Sequence, residues 1–222
     1  IFRVLFATVG LAHYRAYRWL GIAVHLSICV AMFLLIRKRA SALRSLALVA
    51  PVVLLGAGWQ NILWPFQIGV MGSVLAGLLC LLCMDRRTKR GDIAASVLLG
   101  VSIASSGFGL PFVVGTSLEG FLNGSYRRVL RVVAAPVVLY LVWYAKYGQS
   151  QAELSNARTL GPYVASASAA AASGIANISL DWGRLLIGIL IGSLATAVLV
   201  RRGCPARIVT LLGTALAFWV LL

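Results

Sequence analysis

Residues 45–84, SLALVAPVVLLGAGWQNILWPFQIGVMGSVLAGLLCLLCM, decide the fold, because these 40 residues contain no charged side chain. A transmembrane helix needs about 20 predominantly apolar residues, since each residue adds about 1.5 Å towards a hydrocarbon core of about 30 Å. The stretch is therefore long enough for two crossings. Its middle, residues 58–69 (GWQNILWPFQIG), holds two Trp, two Gln, an Asn and a Pro. We interpret this uncharged, polar and aromatic segment as the tip of a membrane hairpin.

The composition of the whole chain also indicates a membrane protein. Of its 222 residues, 61% are hydrophobic and 11% are charged, whereas soluble domains are about 45–50% apolar and about 25% charged. The net charge of +15 would suggest nucleic-acid binding in a soluble protein. Here the basic residues stand at the ends of apolar runs, where they set topology and contact anionic lipid headgroups. We expect the lipid bilayer as partner and no nucleic acid.

Further apolar runs predict an all-α, polytopic transmembrane helix bundle with about eight membrane passes, some of them short or re-entrant. The run 93–125 is broken by a Ser-, Gly- and Pro-containing segment at 105–111. As one helix it would be about 50 Å long, which is too long for the bilayer. We leave open whether it forms two passes or a re-entrant hairpin. The other predicted spans are 16–36, the two halves of 45–84, 132–147, 183–200 and a run from residue 208 onward.

The basic residues predict the orientation of these spans. Four clusters, at residues 37–44, 85–92, 126–131 and 201–207, hold 14 of the 20 Lys and Arg. Short loops rich in Lys and Arg face the cytoplasm. We therefore predict an inner (plasma) membrane protein whose four clusters are cytoplasmic, and whose segment 58–69 lies on the outer face.

We predict a single transmembrane domain over residues 1–222. Residues 148–182 are expected to form an outer loop with a short helix and an Ala/Ser-rich tract at 164–176. Because the chain starts with Ile1 and ends within an apolar run, we expect a fragment of a longer protein. Small residues such as Gly188-x-x-x-Gly192 predict close packing between helices.

The residues predict a binding surface on the outer face, and no metal or cofactor. Amide side chains beside indoles can offer hydrogen bonds and a stacking face to a sugar, and Arg binds phosphate in a bidentate manner. The alternative is that these aromatic and basic residues only hold the helices at the interface. Glu119, the one acid inside a predicted span, is a further candidate that we place near the cytoplasmic interface. The candidate substrate-binding residues are His13, Arg15, Arg18, Trp59, Gln60, Asn61, Trp64 and Gln67.

Groups of residues beside the helix ends carry a resemblance to a known family. They are His13-Tyr14-Arg15-x-Tyr17-Arg18, Trp59-Gln60-Asn61-x-Leu63-Trp64-Pro65-Phe66-Gln67, Ser105-Ser106-x-x-Gly109-Leu110-Pro111-Phe112 and Pro136-x-x-x-Tyr140-x-x-Trp143-Tyr144-x-x-Tyr147-Gly148. Over residues 13–148, this order of features resembles the bacterial polyprenyl-phosphate-dependent glycosyltransferases of the GT-C type, in the form common in actinobacteria.

The resemblance implies sugar transfer from a polyprenyl-phosphate donor at the outer face, with Arg15 or Arg18 holding the donor phosphate. That family has a catalytic acid in its first outer loop, and residues 1–19 contain no Asp or Glu. The resemblance therefore places the acid upstream of Ile1, and the catalytic residues are unknown. Two other functions stay open. A transporter or flippase for a lipid-linked or anionic substrate would show internal repeats and charges at mid-membrane, and a non-catalytic membrane scaffold would suit the Ala/Ser-rich tract.

Overall fold

The structure is a computed structural model that describes residues 7–8, 10, 14–54, 64, 67–148, 159–176, 178–200 and 206–221. Over these residues it is helical and contains no strand, which confirms the predicted all-α class. The helices of at least 12 residues are, in chain order, α1 Tyr14–Arg37, α2 Ala42–Val53, α3 Ile68–Met84, α4 Lys89–Ser105, α5 Leu110–Leu122, α6 Tyr126–Tyr147, α7 Leu160–Ala176, α8 Leu180–Val200 and α9 Ala206–Leu221.

Two of these helices are long and apolar enough to cross a membrane within the described residues. They are α1, with 24 residues, and α6, with 22, and they match the predicted spans 16–36 and 132–147. A third span is possible if α7 and α8, which meet at a bend of 105°, are counted together. Shorter apolar helices make up much of the remainder. The apolar helices indicate a membrane protein.

The predicted break at 105–111 is present, and its cause is local. Ser106 adopts an extended conformation with φ of −169°, and its side chain accepts a hydrogen bond from the Phe108 N–H at 3.4 Å. A single 3-10 turn, Gly107–Gly109, follows. Pro111 then lies in the first turn of α5, where the missing N–H of proline is not needed. The two halves have 17 and 13 residues, and at about 25 Å and about 20 Å both are shorter than a bilayer core.

Helices α1 and α3 run in the same direction. Lys38 directly follows α1, Asp85 directly follows α3, and Lys38 Nζ lies 2.8 Å from Asp85 Oδ2. The two helices pack along each other through Ile28, Ile68 and Met71. Because the joined ends are both C-terminal, the chain between them must return the other way, as the predicted hairpin requires.

The main core lies between α1, α3, α4, α5 and α6. Two serines join α3 to α4 reciprocally: Ser73 Oγ donates to the Ser102 carbonyl at 2.8 Å, and Ser102 Oγ donates to the Ser73 carbonyl at 2.7 Å. Beside them the Phe112 ring of α5 packs directly on Gly77 of α3, where any Cβ would overlap the ring. The buried apolar side chains of this core are Leu35, Cys80, Leu81, Met84, Ala95, Leu99, Ile103, Phe112 and Val132.

The C-terminal helices have less core of their own. The Ala/Ser-rich tract lies within α7, which packs on α8 where Gly183 meets the Ala169 carbonyl. By contrast, a Cβ on Gly188 or Gly192 would meet no described atom within 4 Å. The expectation that this glycine pair packs closely against another helix is therefore wrong for the described part of the chain.

Candidate functional site

One end of the bundle gathers the predicted binding residues that the structure describes. We call it the aromatic end and define it by Tyr14, Arg15, Arg18, Trp64 and Gln67. Arg15 and Arg18 are exposed on the first turns of α1, and the guanidinium carbon of Arg18 lies 4.9 Å from the centroid of the Tyr14 ring. At that distance a cation interacts favourably with the face of the ring.

The start of α3 lies at about the same height as these arginines. Arg18 precedes Lys38 by 20 residues and Gln67 precedes Asp85 by 18, so both lie about 27–30 Å from the pair that joins the two helices. The Gln67 N–H donates to the Trp64 carbonyl at 3.0 Å. Trp64 is 55% exposed and Gln67 is half-buried.

Four of the predicted binding residues, His13, Trp59, Gln60 and Asn61, lie outside the described residues. The structure thus places Arg15, Arg18, Trp64 and Gln67 at one end of the bundle. For the other four residues, the predicted binding surface stays a prediction. No acidic side chain of the described residues is in contact with the arginines of this end.

The opposite end holds a buried carboxylate that the sequence analysis did not single out. We call it the charged end and define it by Lys38, Asp85, Asp92, Arg128 and Arg131. Asp92 is only 4% exposed. Its Oδ1 lies 2.7 Å from Nε of Arg128, and its Oδ2 lies 3.2 Å from Nη1 of Arg131.

Local sequence explains how these groups meet. Thr88 caps α4 by accepting the Gly91 N–H at 3.1 Å, which places Asp92 in the first turn, where a carboxylate is favoured by the helix dipole. Arg128 and Arg131 are three residues apart on α6 and therefore share a face. Arg128 Nη2 also donates a hydrogen bond to the carbonyl oxygen of Met84, which is the last residue of α3. One guanidinium thus joins the ends of α3, α4 and α6.

A cavity of about 390 Å³ opens at the charged end between α4, α5 and α6. Glu119, which is 8% exposed, lines it together with Asp92. Glu119 therefore lies among the basic side chains of the charged end, and its place near the cytoplasmic interface stays a prediction. The basic side chains that line the cavity are Arg87, Lys89, Arg128 and Arg131.

The charged end brings three of the four predicted basic clusters together. Lys38 and Asp85 join the clusters 37–44 and 85–92, while Asp92 joins the latter to 126–131. The fourth cluster is mostly outside the described residues, but the direction of α9, which follows it, can be read from its contacts. The Phe108 ring, just before α5, lies 4.9 Å from the ring of Phe218 near the end of α9, and Gly115 in α5 contacts the earlier Thr214. Helix α9 is therefore antiparallel to α5. Since α5 ends at the charged end, α9 begins there.

Within the described residues, no group of three or more His, Cys, Asp or Glu side chains is placed to hold a metal ion. Comparison of the chain with protein-family models, with curated proteins and with solved structures finds no match. We therefore infer function from the residues of the aromatic end and of the charged end.

Proposed function

We propose that the chain is the membrane-embedded part of an enzyme that transfers a sugar from a polyprenyl-phosphate donor at the aromatic end. In this proposal the chain makes about eight passes of the plasma membrane. The charged end faces the cytoplasm and the aromatic end faces the outside.

The observation that carries the proposal is the position of Arg15 and Arg18. Both guanidinium groups are exposed at the start of a membrane-length helix, where a lipid phosphate would lie. Guanidinium groups bind phosphate oxygens through paired N–H donors. Trp64 and Gln67, at about the same height, would offer the sugar a stacking face and an amide. The resemblance assigns the catalytic base to an acid of the first outer loop, which none of residues 1–19 supplies.

The orientation is supported by the convergence of the basic clusters at one end, because Lys and Arg in short loops are retained on the cytoplasmic side. A membrane-impermeant thiol reagent tests this on intact cells, in a background without the four native cysteines. Asn61→Cys should react from outside, and Arg39→Cys only after the membrane is opened. Reaction of Arg39→Cys in intact cells, with Asn61→Cys protected, would reverse the orientation.

Sugar transfer is tested with a radiolabelled polyprenyl-phosphate sugar and membranes that contain the full-length protein. Trp64→Ala and the double variant Arg15→Gln with Arg18→Gln should abolish transfer at unchanged expression. The control is Arg44→Gln, at an exposed arginine that ends the first basic cluster, which should retain activity. Wild-type membranes that move the labelled lipid between leaflets without forming a glycosidic product would favour the flippase instead. Equal transfer by all variants would remove the aromatic end from the proposal.

A further inference from the structure

The cavity at the charged end carries more positive charge than its structural ion pairs require. Four basic side chains and two acidic ones, Asp92 and Glu119, line the cavity, which gives it a formal charge of +2. Asp92 is satisfied on both oxygens by Arg128 and Arg131. Within the described part of the chain, Arg87 and Lys89 form no ion pair.

Arg87, one of the residues that line the cavity, has an unusual backbone conformation. Its φ is +49°, in the left-handed region that Gly and Asn adopt more readily than a long side chain. Arg87 stands in the tight turn between α3 and α4, beside the Thr88 cap. A glycine would adopt this conformation at lower cost, so the arginine side chain stands at a position that its backbone disfavours.

The cavity also adjoins a surface suited to lipid chains. Ile93 on α4 and Leu130 on α6 are large apolar residues, each more than 60% exposed, and each lies within one residue of a charged residue that lines the cavity. Basic pockets between transmembrane helices at their cytoplasmic ends are sites where anionic headgroups bind. A cavity of this size is in the range of small-ligand pockets, about 300–1,000 Å³.

We propose that this cavity binds a phosphate group, supplied by the headgroup of an anionic phospholipid. The phosphate oxygens accept hydrogen bonds from Arg87, Lys89 and the outer side of Arg131, whose side chain is 52% exposed. Arg128, held by Asp92 and the Met84 carbonyl, positions α6 against α4 and keeps the cavity open. The site is independent of the proposed sugar transfer, because it lies at the opposite end of α1 and α3.

The test is native mass spectrometry of the full chain in detergent, titrated with phosphatidylglycerol, phosphatidylcholine or inorganic phosphate. The double variant Arg87→Gln with Lys89→Gln leaves both ion pairs of Asp92 intact and should bind phosphatidylglycerol at least about tenfold more weakly than the wild type, since each basic residue near an anionic surface adds roughly a fivefold preference. The control is Arg184→Gln on α8, an exposed arginine outside the cavity, which should bind as the wild type does.

Each result decides the proposal. Selective binding of phosphatidylglycerol over phosphatidylcholine, lost only in the double variant, supports it. Displacement of the lipid by millimolar inorganic phosphate would assign the site to a soluble phosphate and reject the lipid headgroup. Equal binding of the two lipids, or equal loss in Arg184→Gln, would reject the site. Thermal unfolding of the double variant should match the wild type within a few degrees; binding lost together with the fold would also count against the proposal.

Discussion

The two ends of the bundle use charge in opposite ways. At the charged end, Asp92 is buried and both of its oxygens are paired, and a single arginine joins three helices. At the aromatic end, Arg15 and Arg18 are exposed, and the contact of Arg18 is with the ring of Tyr14. The charged groups of the charged end therefore hold helices together through ion pairs, whereas the arginines of the aromatic end are accessible to a ligand.

This difference separates stability from binding. A buried carboxylate that loses its charge leaves a guanidinium without a partner in a medium of low dielectric constant. An exposed guanidinium that is removed leaves nothing unpaired. Substitutions at the charged end should therefore change the free energy of unfolding, and substitutions at the aromatic end should mainly change ligand binding.

The largest effect is expected for Asp92→Asn. The substitution leaves Arg128 largely buried without a counter-charge, which we expect to lower the free energy of unfolding by about 3–5 kcal/mol. Thermal unfolding in detergent measures it. The matched control is Asp181→Asn on α8, whose side chain is 86% exposed and pairs with Arg184 at 3.1 Å. An exposed pair of this kind is worth at most about 1 kcal/mol.

A double variant tells whether the effect comes from the ion pair. Asp92→Asn with Arg128→Gln removes both charges and should be more stable than the sum of the single substitutions predicts. If Asp92→Asn destabilised the protein no more than Asp181→Asn, the charged end would not hold the helices together, and the contrast between the ends would disappear.

An intermediate effect is expected at the aromatic end for Tyr17→Phe. Tyr17 is buried, and its hydroxyl donates to the Gly10 carbonyl at 3.2 Å. Its loss should cost about 0.5–1.5 kcal/mol, the usual net value of one such bond. Tyr126→Phe, at an exposed tyrosine at the start of α6, is the control and should be neutral. A loss for Tyr17→Phe as large as that for Asp92→Asn would show that the aromatic end is also a structural centre.

Local features of the fold could be predicted from the sequence. The apolar lengths gave the spans at α1 and α6, and the Ser-, Gly- and Pro-containing segment 105–111 gave the break between α4 and α5, because these residues act on their own backbone. The tract 164–176 could also have been predicted as helical, since Ala has the highest helix propensity. We expected this tract within an outer loop over residues 148–182, whereas α7 begins at Leu160 and has Gly161 and Pro162 in its first turn.

The charged end could not be derived from the sequence alone. Asp92 and Arg128 are 36 residues apart, and their contact depends on how α4 and α6 pack. The position of the four basic clusters along the chain indicated that they share one side of the membrane. It did not indicate which residues of these clusters form ion pairs. An acid at the end of the basic cluster 85–92, in the first turn of a helix capped by Thr88, was the available signal for Asp92. For the segment 58–69, the described residues include only Trp64 and 67–69, so its interpretation as a hairpin tip stays a prediction.

The smallest effect on stability is expected for Arg18→Gln. Its contact with Tyr14 is exposed, and such cation–π pairs contribute about 0.5–1 kcal/mol, so unfolding in detergent should change by no more than that. Retention of a polyprenyl phosphate by the same purified variant should nevertheless fall clearly, because a phosphate loses a bidentate donor. Arg184→Gln, an exposed arginine on α8, should change neither quantity. A destabilisation above about 2 kcal/mol with unchanged lipid binding would invert the assignment and make Arg18 a structural residue.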